Sequence, residues 1–90
     1  MTDLEYKTQM AAATTKAEKR EITVQYIRPE ARELMEVAKS DISTRNGYGL
    51  VMTALQRMPE GMRILMTAAL KVEGYEEIDH VIEILQIKIV

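Results

Sequence analysis

The sequence contains no cysteine, no tryptophan and no phenylalanine. The absence of cysteine excludes a disulfide scaffold, a thiolate metal site and a cysteine nucleophile. Only two prolines and four glycines occur in 90 residues, and four tyrosines are the only aromatic side chains. The net charge is -2, which differs from the strong positive charge that is typical of nucleic-acid-binding domains.

Long hydrophobic runs are also missing. The longest one, over residues 64–70, is broken by Thr67, whereas a membrane-spanning helix needs about 18 or more apolar residues in a row. The sequence opens with Met1, Thr2 and Asp3 rather than with a basic region before an apolar run, so it predicts no signal peptide. We therefore expect a cytoplasmic protein with no membrane partner.

Length and composition predict a single domain over residues 1–90. Hydrophobic residues make up 47% of the chain and charged residues 29%, which is normal for a globular protein. A chain this short builds a small core, and without disulfides or a structural metal it commonly gains burial by assembling with further copies. These features predict a homo-oligomer.

Residues 1–20 predict a polar N-terminal helix or arm. Thr2 and Glu5 have the spacing of a capping box, in which each side chain accepts a hydrogen bond from an amide at the helix start. Large apolar residues are scarce in this segment. A helix of this kind is not stable alone in water, so we expect it either to dock on another surface or to fray.

A strand is predicted over residues 21–27. Ile22, Val24 and Tyr26 alternate with polar residues, which places the three apolar side chains on one face of an extended segment.

Two helices are predicted after this strand, and with it they form a strand-helix-helix unit over residues 21–58. Pro29 suits the first turn of a helix near residues 29–40, because its missing amide proton has no partner there. A second helix is predicted near residues 47–58, where apolar residues recur at helical spacing.

Residues 59–90 are predicted to form an apolar helix and a C-terminal segment. The helix over residues 60–72 is apolar on most sides, which is typical of a helix that is buried on most sides. One small domain offers little cover for it, so we expect it to be central or to lie at an oligomer interface. The residues predicted at that interface are Ile22, Val24, Met62, Leu65, Met66 and Ala69.

Gly74 is predicted to close this helix. The pattern after it favours a helix that changes to a strand near residue 85. The fold class predicted is therefore mostly α with one or two short strands, an α+β fold; the alternative is an all-α oligomeric bundle.

Few residues carry recognisable chemistry. His80 is the only histidine, and although Glu76 or Glu83 beside it allows weak binding of a divalent ion, a surface position is favoured. The turn Gly47-Tyr48-Gly49 completes no nucleotide-binding motif. No catalytic, metal or cofactor site is predicted, so we expect no cofactor and a protein that is not an enzyme.

The order strand-helix-helix over about residues 19–58 resembles the ribbon-helix-helix family of DNA-binding proteins. The resemblance implies that two chains pair their strands into a ribbon that enters the major groove, with outward side chains reading base edges. It also implies that Ile22 and Val24 face the dimer core. The DNA-binding residues that it implies are Thr23 and Gln25 at the bases, Lys19 and Arg20 at the backbone, and Arg45 and Asn46 at a phosphate clamp.

Two functions follow as expectations. The first is a dimeric DNA-binding regulator of the repressor or antitoxin type. The alternative is a small interaction protein, of the kind that phages and mobile elements use to inhibit a host protein, that binds its target through a helical surface.

Overall fold

A computed structural model describes residues 1–40 and 48–87, and in these ranges the chain is all α-helical. Five helices follow one another within the described residues: α1 (Asp3–Ala12), α2 (Lys16–Ser40), α3 (Tyr48–Gln56), α4 (Glu60–Val72) and α5 (Ile78–Leu85). The α+β class predicted from the sequence is wrong, because neither described range contains a strand. The all-α alternative fits this architecture.

The predicted strand over residues 21–27 is the middle of α2, a helix of 25 residues. Val24 and Ile27 are buried, and they continue the spacing of the buried residues further along the same helix. That spacing of three and four residues is helical. The alternation that favoured a strand is therefore one part of a longer helical pattern.

Pro29 lies inside α2 and not at its start, so the helix predicted over residues 29–40 begins thirteen residues early, at Lys16. Proline inside a helix leaves the carbonyl four residues earlier, that of Gln25, without its usual donor. Pro29 is exposed, so water can take the place of that donor.

The ends of the other helices follow the sequence closely. Glu5 donates its amide to Thr2 Oγ1 at 3.1 Å, which confirms the predicted capping box of α1. Gly74 has a φ of 82° at the end of α4, as a helix-terminating glycine requires. The amide of Tyr75 then donates to the carbonyl of Leu70 at 3.0 Å, which completes the turn.

The last helix ends at Leu85, and Gln86 has a left-handed φ of 53°. The amide of Ile87 donates back to the carbonyl of Ile82 at 3.1 Å, and Ile87 is buried. The helical part of the predicted C-terminal segment is confirmed, but residues 85–87 turn back onto the helix instead of starting a strand. Residues 88–90 lie outside the described residues.

One hydrophobic core runs through α2, α3, α4 and α5. Leu55, Leu70, Val51 and Val81 have side chains that are fully enclosed. The remaining buried apolar residues are Val24, Ile27, Ala31, Met35, Ala38, Met66, Ala69, Tyr75, Ile78 and Ile87. Helix α1 packs outside this core, against α2, and none of residues 3–12 is buried. Within residues 1–40 and 48–87, none of the helices has both the length and the apolar character that a membrane span requires.

Candidate functional site

Helices α2 and α4 form the most extensive helix pair, and they run in the same direction. At the C-terminal end of α4, two arginines from the middle of α2 contact Glu73: Arg28 Nε donates to Glu73 Oε1 at 2.8 Å and Arg32 Nε donates to Glu73 Oε2 at 3.2 Å. At the other end, the first two turns of α2 lie beside the first turns of α4. The two N-terminal ends are therefore on the same side of the molecule.

A groove of about 510 Å³ separates these two N-terminal ends. It is open to solvent along one side. Its lining residues are Lys16, Ala17, Lys19, Arg20, Thr23, Gly61, Ile64 and Leu65. We call this feature the α2–α4 groove.

The groove exists because small residues stand where the two helices begin. Ala17 on α2 has a single methyl group, and Gly61 on α4 has no side chain. A Cβ atom built on Gly61 meets nothing within 4 Å. The space at this position is therefore free, so a side chain there enters the groove without a clash at its first carbon atom.

The groove is apolar at its α4 wall and basic at its α2 rim. Ile64 and Leu65 are half-buried, whereas Lys16 and Lys19 are exposed. Among the described residues that line the groove, none is acidic. Helix N-termini carry partial positive charge from the helix dipole, but Glu18 and Glu60 in the first turns of α2 and α4 offset it here. The basic character of the groove therefore comes from the side chains of Lys16, Lys19 and Arg20.

Thr23 forms the boundary between the groove and α1. Its hydroxyl lies 3.2 Å from the Tyr6 hydroxyl and donates to the carbonyl of Lys19 at 2.9 Å. The ring of Tyr6 stacks on that of Tyr26, with centroids 4.2 Å apart. These contacts hold α1 on α2 and fix the orientation of Thr23.

Asp3 completes the attachment of α1 by accepting a short hydrogen bond from the Tyr26 hydroxyl. That hydrogen bond, with a smaller contribution from burial, raises the pKa of Tyr26 above its ordinary value of 10.0. The polar N-terminal helix thus docks on its own chain, which was one of the two outcomes expected for it.

A second concavity, of about 260 Å³, lies at the opposite end of α4. Its lining residues are Met35, Lys39, Gly74, Tyr75, Glu76 and Glu77. The Tyr75 hydroxyl is buried and has no hydrogen-bond partner among the described residues. Burial, with help from the charge of Glu77, raises the pKa of this hydroxyl. The concavity combines one cation with two carboxylates, so its charge favours no single class of ligand.

The structure brings together three of the six residues predicted to bind DNA. Lys19, Arg20 and Thr23 line the α2–α4 groove. Gln25 does not join them, because its amide donates to Glu21 at 3.0 Å and its carbonyl oxygen accepts from Arg28 at 2.8 Å.

The predicted phosphate clamp, Arg45 and Asn46, lies outside the described residues. Residues 21–27 are helical, so Thr23 and Gln25 do not lie together on one face of a strand. The strand predicted over these residues is wrong, whereas their role in DNA binding stays a prediction.

The residues predicted at an oligomer interface divide into two groups. Val24, Met66 and Ala69 are buried by the chain itself. Leu65 lines the groove, Met62 is 40% exposed on α4, and Ile22 is half-buried on α2.

The one histidine singled out in the sequence, His80, does not line the groove. His80 is exposed and packs edge-on against Tyr48, with ring centroids 5.3 Å apart. No group of three or more potential metal ligands occurs among residues 1–40 and 48–87.

Sequence reasoning missed Lys16, Ala17, Gly61 and Ile64. These residues share one feature: Lys16 and Ala17 lie in the first turn of α2, and Gly61 and Ile64 lie in the first two turns of α4. Only the parallel packing of the two helices brings these starts together.

Comparison with known proteins gives no match to a family model, a curated protein or a solved structure. The function is therefore inferred from the geometry of the chain itself.

Proposed function

We propose that this chain is a non-enzymatic binding protein that accepts a segment of a partner protein in the α2–α4 groove. The observation that carries the proposal is the groove itself: an open cleft of about 510 Å³ with an apolar wall and a basic rim. Solvent-exposed clefts of this form between helices are typical sites for peptide segments of other proteins.

A small-molecule site is a poorer fit. Pockets for small molecules enclose most of the ligand surface, about 70–90% of it. The α2–α4 groove is open to solvent along one side, so a small ligand lying in it would stay largely exposed. A segment of a protein covers the groove with its own bulk.

Nucleic acid is also a poorer fit. Its binding depends on many phosphate contacts from a broad basic surface. Here the cations are confined to one rim of the groove, and Glu18 and Glu21 interrupt them on α2. The chain as a whole is acidic, with a net charge of -2.

The test compares affinity capture from a lysate of the source cells by three forms of the chain. Gly61→Trp fills the groove, because the space beside Gly61 is open. Thr53→Trp adds the same indole ring at an exposed position on α3 that does not line the groove. We expect the wild-type chain and Thr53→Trp to capture the same protein, and Gly61→Trp to lose it.

Two controls accompany this comparison. Circular dichroism establishes that both tryptophan variants keep the helical content of the wild type. Nuclease treatment of the lysate should leave capture unchanged. Capture that disappears with nuclease, or that is equal for all three forms, contradicts the proposal.

A further inference from the structure

We infer that the occupant of the α2–α4 groove is an acidic amphipathic helix of a partner protein. This inference rests on the proposed function and adds the conformation and the charge of the segment that binds.

The helical conformation follows from the backbone chemistry of the groove. Both walls are α-helices, whose amides and carbonyls are bonded within each helix. An extended peptide seated there finds no strand edge to pair with in the described residues, so it gains none of the backbone hydrogen bonds that give extended peptides their affinity for a sheet. A helical segment satisfies its backbone internally, so it can place an apolar face against this wall.

The size of the groove sets the length of contact. On α2 the lining residues span Lys16 to Thr23, which corresponds to about two helical turns, or roughly 10 Å of helix axis. Small residues at Ala17 and Gly61 leave room for bulky apolar side chains from the occupant. A contact of this length takes two or three apolar residues at helical spacing from one face of the partner helix.

The acidic character follows from the rim. Lys16 and Lys19 are exposed one turn apart on α2, and carboxylates flanking the apolar face of the occupant would lie opposite them. Glu18 and Glu60, in the first turns of α2 and α4, offset the partial positive charge of the two helix N-termini. The preference for carboxylates therefore rests on Lys16 and Lys19, which would repel lysine or arginine at these positions.

The apolar surface continues beyond the groove on α4. Met62 is 40% exposed and lies one turn from Leu65, which lines the groove. Methionine side chains adapt readily to a partner surface. Exposed Met62 is therefore available to a partner helix that extends past the groove along α4.

The experiment uses three fluorescent peptides of about 14 residues, because shorter peptides form little helix in water. The first carries leucines on one helical face and glutamates elsewhere. The second replaces every glutamate by glutamine. The third has the composition of the first, with the leucines distributed so that they share no face. Binding to the full chain is measured by fluorescence anisotropy at about 0.05 M and about 0.5 M salt.

We expect the acidic amphipathic peptide to bind at least about tenfold more tightly than either of the others at low salt, and to weaken as salt rises. The double variant Lys16→Glu and Lys19→Glu reverses the charge of the rim. It should weaken binding of the acidic amphipathic peptide by roughly tenfold or more. The matched control, Lys7→Glu with Lys39→Glu, makes the same change in net charge on exposed lysines outside the groove. It should change the affinity by less than about twofold.

The outcomes separate the inference from the proposed function. If the glutamine peptide binds as tightly as the acidic one and Gly61→Trp blocks both, the acidic occupant is wrong while the groove remains a protein-binding site. If Gly61→Trp blocks no peptide, or no peptide binds below about 1 mM, both are overturned. If the chain associates with itself and Gly61→Trp abolishes that association, the occupant is a second copy, which also overturns the inference.

Discussion

Glu73 forms ion pairs with two arginines at once. Its side chain is 8% exposed and lies between Arg28 and Arg32. The hydrogen bond from Arg28, and next in size the one from Arg32, hold the pKa of Glu73 below its ordinary value of 4.5. This carboxylate joins α2 to the end of α4.

The pH dependence of stability follows from this shift. Because the pKa of Glu73 is lower in the folded chain than in the unfolded chain, its stabilising contribution is complete above pH 4.5 and disappears as pH falls through the folded value. We expect the melting temperature to drop as pH falls from 5 to 3 by more in the wild type than in Glu73→Gln, which lacks the titrating group. Thermal unfolding followed by circular dichroism measures both, and equal pH profiles would rule this contribution out.

Local residue roles could be predicted from sequence, whereas this ion-pair network could not. The capping box of Thr2 and Glu5 depends on residues three apart, and its spacing is visible in the sequence. Glu73 lies 45 positions from Arg28, and nothing in an acidic stretch over residues 73–83 indicates that one carboxylate turns inward. Thr67 is likewise polar in the sequence, yet it is fully buried, and its hydroxyl is satisfied there because it donates to the carbonyl of Arg63 at 2.7 Å.

Among the elements, the end of α3 depends on a side chain from α4. The last carbonyls of a helix have no partner inside it, and Pro59 offers no amide to them. Arg63 takes this role: Nε donates to the carbonyl of Leu55 at 3.0 Å, and Nη2 donates to those of Gln56 at 3.4 Å and Met58 at 3.2 Å. One guanidinium thus closes the connection between the two helices.

We expect Arg63→Met to destabilise the fold by about 1.5–3 kcal/mol, because methionine keeps much of the apolar stem and removes the charged hydrogen bonds. Arg57→Met is the matched control, since Arg57 is exposed next to the same connection. It should change the free energy of unfolding by less than about 0.5 kcal/mol. Urea denaturation measures both variants, and an equal effect would show that the carbonyl contacts contribute no stability.

Secondary structure could be predicted correctly in some parts of the chain and not in others, for a physical reason. Pro59 and Gly74 bracket α4, and the sequence predicts its bounds correctly because both residues impose backbone conformations. In α2, Ile22, Val24 and Tyr26 alternate like a strand, but a strand needs a neighbour to pair with. The described residues offer none, while the helical spacing that buries Val24 and Ile27 finds α4 beside it.

At the scale of the whole molecule, the core-facing side of α4 is covered by its own chain. Helices α2, α3 and α5 all pack against it, and Met66, Ala69 and Leu70 are each no more than 5% exposed. The sequence predicted that a single copy offers too little cover for this helix. That expectation assigned residues 21–27 to a strand. In the structure these residues are about two turns of α2, the helix that packs most extensively on α4.

We therefore expect the isolated chain to be a monomer with a mass of 10.3 kDa by light scattering. A stable interface takes about 800 Å² from each partner, with an apolar centre, and the most exposed apolar residues, Leu4, Val72 and Val37, lie on three different helices. The measurement should give the same mass for Gly61→Trp. A dimeric mass in both forms would place a self-association surface outside the groove. A dimeric mass in the wild type alone would mean that the groove binds a second copy, so its basic rim would be paired with the acidic residues of this same chain.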